Sequence, residues 1–166
     1  MILNRLVLFV VLMMMVSFSC VKYSFKGALP SYLQTIYIEN FEDLTNYPGV
    51  WEEFMQKLNS SFISDNTLDI TEDAKTADLI LRGQILSINR RPVSFTPTEQ
   101  VEQFQMITNI KVECLNTHTQ KPLWSENISR YGVISGAALR DEIDAAISVA
   151  LDQIVDDIIA KTIGAW

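Results

Sequence analysis

The chain has 166 residues and a formal net charge of −7, with 48% hydrophobic and 20% charged residues. This length corresponds to one ordinary domain, and the hydrophobic fraction is high enough to bury a core. General nucleic-acid binding depends on clustered Lys and Arg that neutralise phosphates, so an acidic chain of this size is not expected to bind nucleic acid.

Residues 1–19 have the layout of an export signal. Asn4 and Arg5 form a short polar start, an unbroken apolar run follows over Leu6–Val16, and small residues come near the end. A charged region, an apolar region and small residues in this order are typical of a signal peptide. Cys20 follows directly and resembles the modified Cys of bacterial lipoproteins, which implies cleavage before Cys20 and lipid attachment to it.

Two other interpretations of this segment stay open. A transmembrane helix needs roughly 20 apolar residues, whereas this run is broken at Ser17 and ends near Lys22. An ordinary signal peptide would leave Cys20 as a thiol of the exported protein, and a disulfide to Cys114 would then be the usual expectation. We expect lipidation of Cys20, which leaves Cys114 as a small hydrophobic residue inside a strand.

The first half of the exported chain predicts two short strands. Tyr23 and Phe25 alternate with polar residues until Gly27–Pro30 breaks the pattern. A second strand is predicted over Thr35–Phe41, followed by a turn-rich link over residues 42–47.

A helix is predicted next, and Pro48 is expected to open it because a missing N–H is tolerated in the first helical turn. Apolar residues then recur at spacings of three and four on one stripe: Trp51, Phe54, Met55, Leu58 and Phe62. The helix is expected to end within residues 60–66, before a short strand around Leu68 and Ile70.

Three longer strands are predicted in the second half. The first spans Ala77–Ile88 and is expected to end at Arg90–Pro92, before a loop over residues 92–100. Phe104–Leu115 and Pro122–Tyr131 are expected to pair through the polar hairpin loop between them.

Strand alternation assigns these side chains to two faces of a sheet. One face collects the apolar positions Leu79, Leu81, Gly83, Ile85, Phe104, Met106, Ile110, Val112 and Cys114. The other face mixes aliphatic, polar and charged residues: Ile80, Arg82, Gln84, Leu86, Ile88, Ile107, Asn109, Lys111, Glu113 and Leu115. Such a mixed face indicates a surface for a protein or an amphiphilic ligand, or else an alternation that is shifted by a bulge or covered by a loop.

Residues 132–136 are predicted to form a joint, and a long helix is predicted over Ala138–Ile163. Its apolar positions form one continuous stripe, its acids lie on the other side, and Lys161 and Gly164 are typical of a helix end. Two one-sided helices around a late hairpin predict an α+β fold, with both helices packed on one face of a four- or five-stranded mixed sheet. We expect residues 20–166 to form this single domain.

The sequence shows no catalytic or metal-binding constellation. His118, the one His, lies in the polar hairpin loop with no nucleophile or orienting acid beside it in the sequence. No Cys/His pattern has the spacing of a zinc site, and no glycine-rich phosphate loop is present. We therefore expect neither enzymatic activity nor a cofactor.

Short matches to a known family run through the chain in the order that the family has them. They are Tyr23-Ser24-Phe25, Gly27, Leu29-Pro30, Thr35-Ile36, Ile38, Phe41-Glu42, Thr45, Ala77–Ile85, Leu123-Trp124 and the long C-terminal helix. On these residues the chain resembles LptE, the family of outer-membrane lipoproteins that partner the large lipopolysaccharide-translocating β-barrel.

The resemblance implies a non-enzymatic plug in the lumen of that barrel, at the periplasmic side of the outer membrane. Such a plug assists folding of the barrel and delivery of lipopolysaccharide to the cell surface. The implied partners are the barrel, lipopolysaccharide and the membrane that holds the N-terminal lipid. Family members contact lipopolysaccharide through basic residues, and by chemistry alone the candidates here are Arg82, Arg90, Arg91 and Lys111.

A second resemblance stays open as an alternative. Residues 35–42 and the strand that starts at Ala77 also resemble lipoproteins of curli-type secretion systems and the N-terminal domain of the Tol propeller protein. That resemblance implies a self-assembling envelope scaffold or secretion channel, which would form homo-oligomers, whereas a plug would bind one barrel.

Overall fold

The computed structural model describes residues 29–95 and 101–164. The predicted signal segment, Cys20 and the strand predicted around Tyr23 and Phe25 lie outside these residues. The described elements follow one another as β1 (Thr35–Ile38), β2 (Glu42–Asp43), α1 (Val50–Asp65), β3 (Asp69–Ile70), β4 (Leu79–Phe95), β5 (Val101–Asn116), β6 (Lys121–Ser135) and α2 (Arg140–Gly164).

These strands form one mixed sheet in the order β3-β1-β4-β5-β6. β1 runs parallel to both β3 and β4, and β2 pairs in parallel with β4 further along the same edge. β4, β5 and β6 form a long antiparallel meander. Both helices cover one face of this sheet, so the predicted α+β class is confirmed, with two of the six strands only two residues long.

The helix stripes that periodicity predicts are buried in the core. Val50, Phe54, Met55, Leu58 and Phe62 are the buried residues of α1. Those of α2 are Ala146, Ile147, Ala150, Leu151, Ile154, Val155, Ile158 and Thr162. They join Leu79, Leu81, Ile85, Met106, Ile110, Val112 and Cys114 from the predicted apolar face of the sheet. α1 begins two residues after Pro48, because Gly49 has a left-handed backbone (φ 85°) that cannot belong to the helix.

Two predicted boundaries are wrong, and pairing within the meander explains both. β4 does not end at Arg90–Pro92 but continues to Phe95, with Pro92 opposite Phe104 of β5. The other edge of β4 has no described partner strand at this point, so the missing N–H of Pro92 need not cost a ladder hydrogen bond. The joint predicted over residues 132–136 is likewise strand through Ser135, because these residues pair with β5.

A bulge changes the faces of β4 halfway along its length. The register with β5 shifts between Ile85 and Ser87, which leaves Leu86 as the extra residue. Beyond it, Ile88 lies opposite the buried Thr108, so Ile88 is on the helix side and not on the mixed face as predicted. A bulge therefore shifts the alternation in the second half of β4, which was one of the predicted alternatives. Ile80, Arg82 and Gln84 lie on their predicted face.

Thr108 is the polar break in the apolar face of β5, and it offers a test of the core. Its side chain is completely buried, and its Oγ1 has no hydrogen-bond partner among the described residues. Leaving a buried hydroxyl unpaired costs about 1–3 kcal/mol. Thr108→Val keeps the shape and removes that hydroxyl, so we expect the free energy of unfolding to rise by about 1 kcal/mol. Urea unfolding would measure this, and a loss of stability would show that the hydroxyl is hydrogen-bonded.

Candidate functional site

The face of the sheet opposite the helices, which we call the helix-free face, contains a charged band near its middle. The Arg82 guanidinium of β4 donates to Oε2 of Glu113 on β5, with both Nε and Nη2 at 2.8 Å. Nε2 of Gln84 donates to Oε2 of Glu42 at 2.6 Å. Lys111 lies opposite Gln84 and has no carboxylate partner among the described residues. Lys111 is therefore the cation of this band that forms no direct ion pair with another described residue.

A shallow groove of about 360 Å³ runs along this band. Its lining combines acids, amides and both cations: Glu39, Glu42, Arg82, Gln84, Lys111 and Glu113. The groove lies where β1 ends and β2 begins, beside Gly83. Phe41, between those strands, turns into the core, where a Cβ on Gly83 would lie 2.5 Å from its ring and 2.2 Å from the carbonyl oxygen of Lys111. Gly83 thus allows the segment between β1 and β2 to pack closely on the sheet.

Neutral polar side chains form a second band further along the helix-free face. The side-chain amides of Asn109 and Asn89 both donate to Oγ of Ser87, each at 3.0 Å. Beyond this band, Tyr131 and Val133 of β6 remain 48% and 52% exposed. The face is therefore mixed along its whole length, as predicted, although fewer aliphatic residues lie on it than the sequence suggested.

The four basic candidates do not form one cluster. Arg82 and Lys111 line the same groove on the helix-free face. Arg91 lies opposite Gln105 on that face, but nine residues along β4 from Arg82, roughly 25–30 Å away. The bulge turns Arg90 to the helix side, where its guanidinium lies over the Phe104 ring at 3.7 Å and donates to the carbonyl of Gly136 at 3.2 Å. Arg90 therefore has a structural role at the start of α2.

A polar network that the sequence did not indicate surrounds Asp78, directly before β4. One carboxylate oxygen, Oδ2, accepts from the backbone N–H of Gln34 and Thr35 and from the Thr35 hydroxyl, at 2.9–3.0 Å. The other, Oδ1, lies 2.7 Å from Nε2 of His118 in the β5–β6 turn. His118 has no acid beside it in the sequence, but the fold brings Asp78 to it from 40 positions away in the chain.

Burial by itself raises the pKa of the Asp78 carboxyl, but the hydrogen bonds from Gln34, His118 and Thr35 outweigh it and lower the pKa to about 2. Asp78 is therefore ionised at neutral pH. The hydroxyl of Thr117, the residue next to His118, donates to main-chain carbonyls at 2.7–2.9 Å. These hydrogen bonds thus connect three chain segments: the one before β1, the start of β4 and the β5–β6 turn.

Cys114 is completely buried on β5 and is a free thiol. Burial, followed by the neighbouring charge of Glu113, raises its pKa to about 12. This confirms the prediction of a small hydrophobic residue in a strand. Within residues 29–95 and 101–164, no group of three His, Cys, Asp or Glu residues could hold a metal ion. Neither helix of this part of the chain is long and apolar enough to cross a membrane.

Comparisons with known proteins agree with this architecture. No match was found among curated proteins. Similar solved structures include a hypothetical protein of Chlamydia trachomatis, with a TM-score of 0.61 and 11% identity over 80% of this chain and 96% of that one. Lipoprotein B of Nitrosomonas europaea has a TM-score of 0.53 and 16% identity, over 86% and 91% of the two chains. Rare lipoprotein B of Shewanella oneidensis has a TM-score of 0.53 and 15% identity, over 76% and 92%.

At these identities the structural similarities establish the fold alone. The family comparison goes further, because the model of the lipopolysaccharide-assembly family LptE matches residues 33–162. This match extends from just before β1 to the last turn of α2 and includes both helices and the whole described sheet. The chain therefore belongs to the LptE family of lipopolysaccharide-assembly proteins.

Proposed function

We propose that this chain is a non-enzymatic lipoprotein of the outer membrane that plugs the lipopolysaccharide-translocating β-barrel. In this role it assists folding of the barrel and supports delivery of lipopolysaccharide to the cell surface. Membership of the LptE family supports a role in lipopolysaccharide assembly. The proposal also includes a lipid on Cys20, a location on the periplasmic side and a position inside the barrel.

The observation that carries the proposal is the helix-free face. Three antiparallel strands of 15 to 17 residues give it a length of roughly 50 Å. Much of its charge is compensated locally, as in the Arg82–Glu113 pair, and amides and hydroxyls occupy the neighbouring band. The lumen of an outer-membrane barrel is polar. A long and largely neutral polar face suits contact with such a wall.

The start of the described chain is compatible with the proposed anchor on Cys20. The described chain starts at Leu29, and β1 begins beside the end of the sheet that carries the β5–β6 turn. Residues 21–28 can span at most roughly 28 Å when fully extended. A lipid on Cys20 would therefore keep this end of the domain near the membrane surface. The opposite end of β4, beyond Arg91, would extend roughly 50 Å further into the lumen.

Among the four candidates, Lys111 is the one we propose for a contact with an anionic group of lipopolysaccharide. Arg82 is neutralised by Glu113, and Arg90 is engaged on the helix side. Arg91 lies on the helix-free face but outside the groove. The groove places Lys111 among amides and acids, which gives a local cation on a chain whose net charge is −7.

Affinity purification tests the proposal. The chain is tagged after Trp166 and purified from detergent-solubilised envelopes, and the co-purifying proteins are identified by mass. We expect one large β-barrel protein in a 1:1 ratio. Recovery of a homo-oligomer without a barrel, or of a monomer without any partner, would contradict the proposed plug role.

The same preparation tests the contact made by Lys111. We expect Lys111→Glu to retain the barrel but to lower the lipopolysaccharide recovered per barrel roughly two- to fivefold, as for the loss of one exposed ion pair. Lys121→Glu is the matched control, because Lys121 is an exposed Lys at the hairpin end of the same meander. Equal recovery with both variants would contradict a contact at Lys111 without affecting the barrel result.

A further inference from the structure

β6 is an edge strand that retains the regular geometry needed for pairing. It lies at the end of the strand order β3-β1-β4-β5-β6, so one of its edges has no described partner. Its register with β5 runs without a shift from Ser135, opposite Gln103, to Trp124, opposite Cys114. Neither Pro nor Lys occurs over residues 123–135. Bulges, Pro and Lys are the features that usually protect an exposed edge from pairing.

The other edges of the sheet differ from β6 in this respect. β3 has only two residues. The free part of β4, beyond β2, contains Pro92 and has register shifts at Ile85/Ser87, Pro92/Ser94 and Ser94/Phe95. Pro and bulges are therefore present on β4 and missing over residues 123–135 of β6, where the charged residues are Glu126 and Arg130.

Two charges on the helix side of β6 remain available to a partner. Glu126 pairs with Lys161 at 2.6 Å, and Arg130 pairs with Asp157 at 2.6 Å, both across to α2. The side chains of Glu126 and Arg130 are still 50% and 43% exposed. Each can bind a second opposite charge, because a guanidinium has five N–H donors and a carboxylate has two acceptor oxygens. The two residues flank Ile128 at equal distances along the strand.

We propose that β6 pairs antiparallel with β6 of a second copy of this chain, about a two-fold axis at Ile128. This register places Glu126 of each copy opposite Arg130 of the other. Each side of the axis then has an alternating row of four charges, Asp157, Arg130, Glu126 of the second copy and its Lys161. Such an isologous contact is the commonest form of association between identical chains.

The charges favour this register over its neighbours. An axis at Glu126 or at Arg130 would place like charges opposite each other, which destabilises a strand pair. An axis one residue to either side of Ile128 would leave Glu126 and Arg130 opposite residues without charge. The pairing is proposed for the free chain, purified without a barrel, and it is separate from the proposed 1:1 contact with a barrel.

Cysteine cross-linking tests the register in the full-length chain in detergent. The proposed axis places Asn127 of one copy opposite Ser129 of the other, both exposed on the helix-free face. Directly opposite Cα atoms are about 4.5–5.5 Å apart, which suits a disulfide, whereas diagonal neighbours are about 7–8 Å apart. A mixture of Asn127→Cys and Ser129→Cys chains should therefore give a disulfide-linked dimer, identified by the mass of the joined peptides.

The matched control is a mixture of Ser125→Cys and Ser129→Cys chains, whose cysteines would be diagonal in this register. We expect at least tenfold less linked dimer from it. Equal yields from the two mixtures, or no linked dimer from the first, would overturn the proposed pairing.

Charge exchange provides a second test that does not depend on cysteines. Glu126→Arg and Arg130→Glu should each weaken self-association at least tenfold by native mass spectrometry, because like charges then face each other. Mixing the two variants should restore a dimer between unlike chains, since each remaining charge again finds its opposite. A thermal melt of each variant confirms that it is folded. Failure of the mixture to associate, with both variants folded, would contradict the charge arrangement.

Discussion

We expect Gly132→Ala to lower the free energy of unfolding by about 3 kcal/mol, at the upper end of what overpacking costs. Gly132 lies on β6, where α2 crosses the strand. A Cβ at this position would lie 2.1 Å from the carbonyl oxygen of Ala146 and 2.7 Å from its Cα. These are main-chain atoms of a helix, which cannot rotate away as the end of a flexible side chain can. The whole helix would have to move from the sheet.

The consequence extends beyond one contact, because α2 supplies a large part of the core. Ile147, Leu151, Ile154 and Ile158 are almost completely buried. Lifting the helix at Ala146 loosens their packing against β5, and interiors packed at crystal-like density transmit such strain.

Urea unfolding followed by circular dichroism measures the effect of Gly132→Ala. Gly164→Ala is the control, because no atom lies within 4 Å of a Cβ built at Gly164. We expect the control to change the free energy of unfolding by less than about 1 kcal/mol, the size of a helix-propensity effect. A change of similar size for Gly132→Ala would show that α2 can shift cheaply, contrary to the geometry.

The helices were predictable from sequence because the spacing of their apolar residues is a local pattern. The spacing of Phe54, Leu58 and Phe62 defines one face of α1 without reference to any other part of the chain. Gly49 and Asn66, which bound α1 with left-handed backbones, are residue types for which that conformation is least costly. The start of α1 was misplaced by two residues, since Pro48 alone does not reveal the backbone of Gly49.

The second half of β4 was not predictable, because its conformation depends on its partner strand. Arg90–Pro92 has the composition of a strand end, and only pairing with β5 keeps it in the sheet. The bulge at Leu86 then reverses the faces of every residue beyond it. Arg90 and Arg91 therefore differ in role although they are neighbours, and no periodicity in the sequence indicates which of them faces the helices.

The Asp78 network was missed for a related reason. Its members come from the segment before β1, from the start of β4 and from the β5–β6 turn, and only the topology brings them together. The sequence offered one signal, the Asp that directly precedes the alternating apolar residues of β4. An Asp directly before a buried strand is in a position to bind backbone N–H groups of a neighbouring strand.

We expect Asp78→Asn to lower the free energy of unfolding at neutral pH by about 2 kcal/mol, the value that corresponds to the lowered pKa of this carboxyl. The neutral amide removes the negative charge to which Gln34, Thr35 and His118 are hydrogen-bonded, so charge-assisted bonds become ordinary ones. Asp156→Asn is the control. Asp156 is exposed on α2 and has no ion pair among the described residues, so its replacement should cost less than about 0.5 kcal/mol.

The pH dependence separates this charge effect from a simple loss of packing. The pKa of Asp78 is about 2 in the folded chain, below the value of about 3.9 expected for an unfolded chain. The unfolded state therefore takes up the proton first, so the contribution of Asp78 is fully present above about pH 4 and is lost as the pH falls towards 2. Unfolding measured at a series of pH values should show the difference between the natural chain and Asp78→Asn shrinking over that window. A difference that stays constant from pH 7 to pH 2 would mean that the network stabilises the fold by its shape and not by the charge of Asp78.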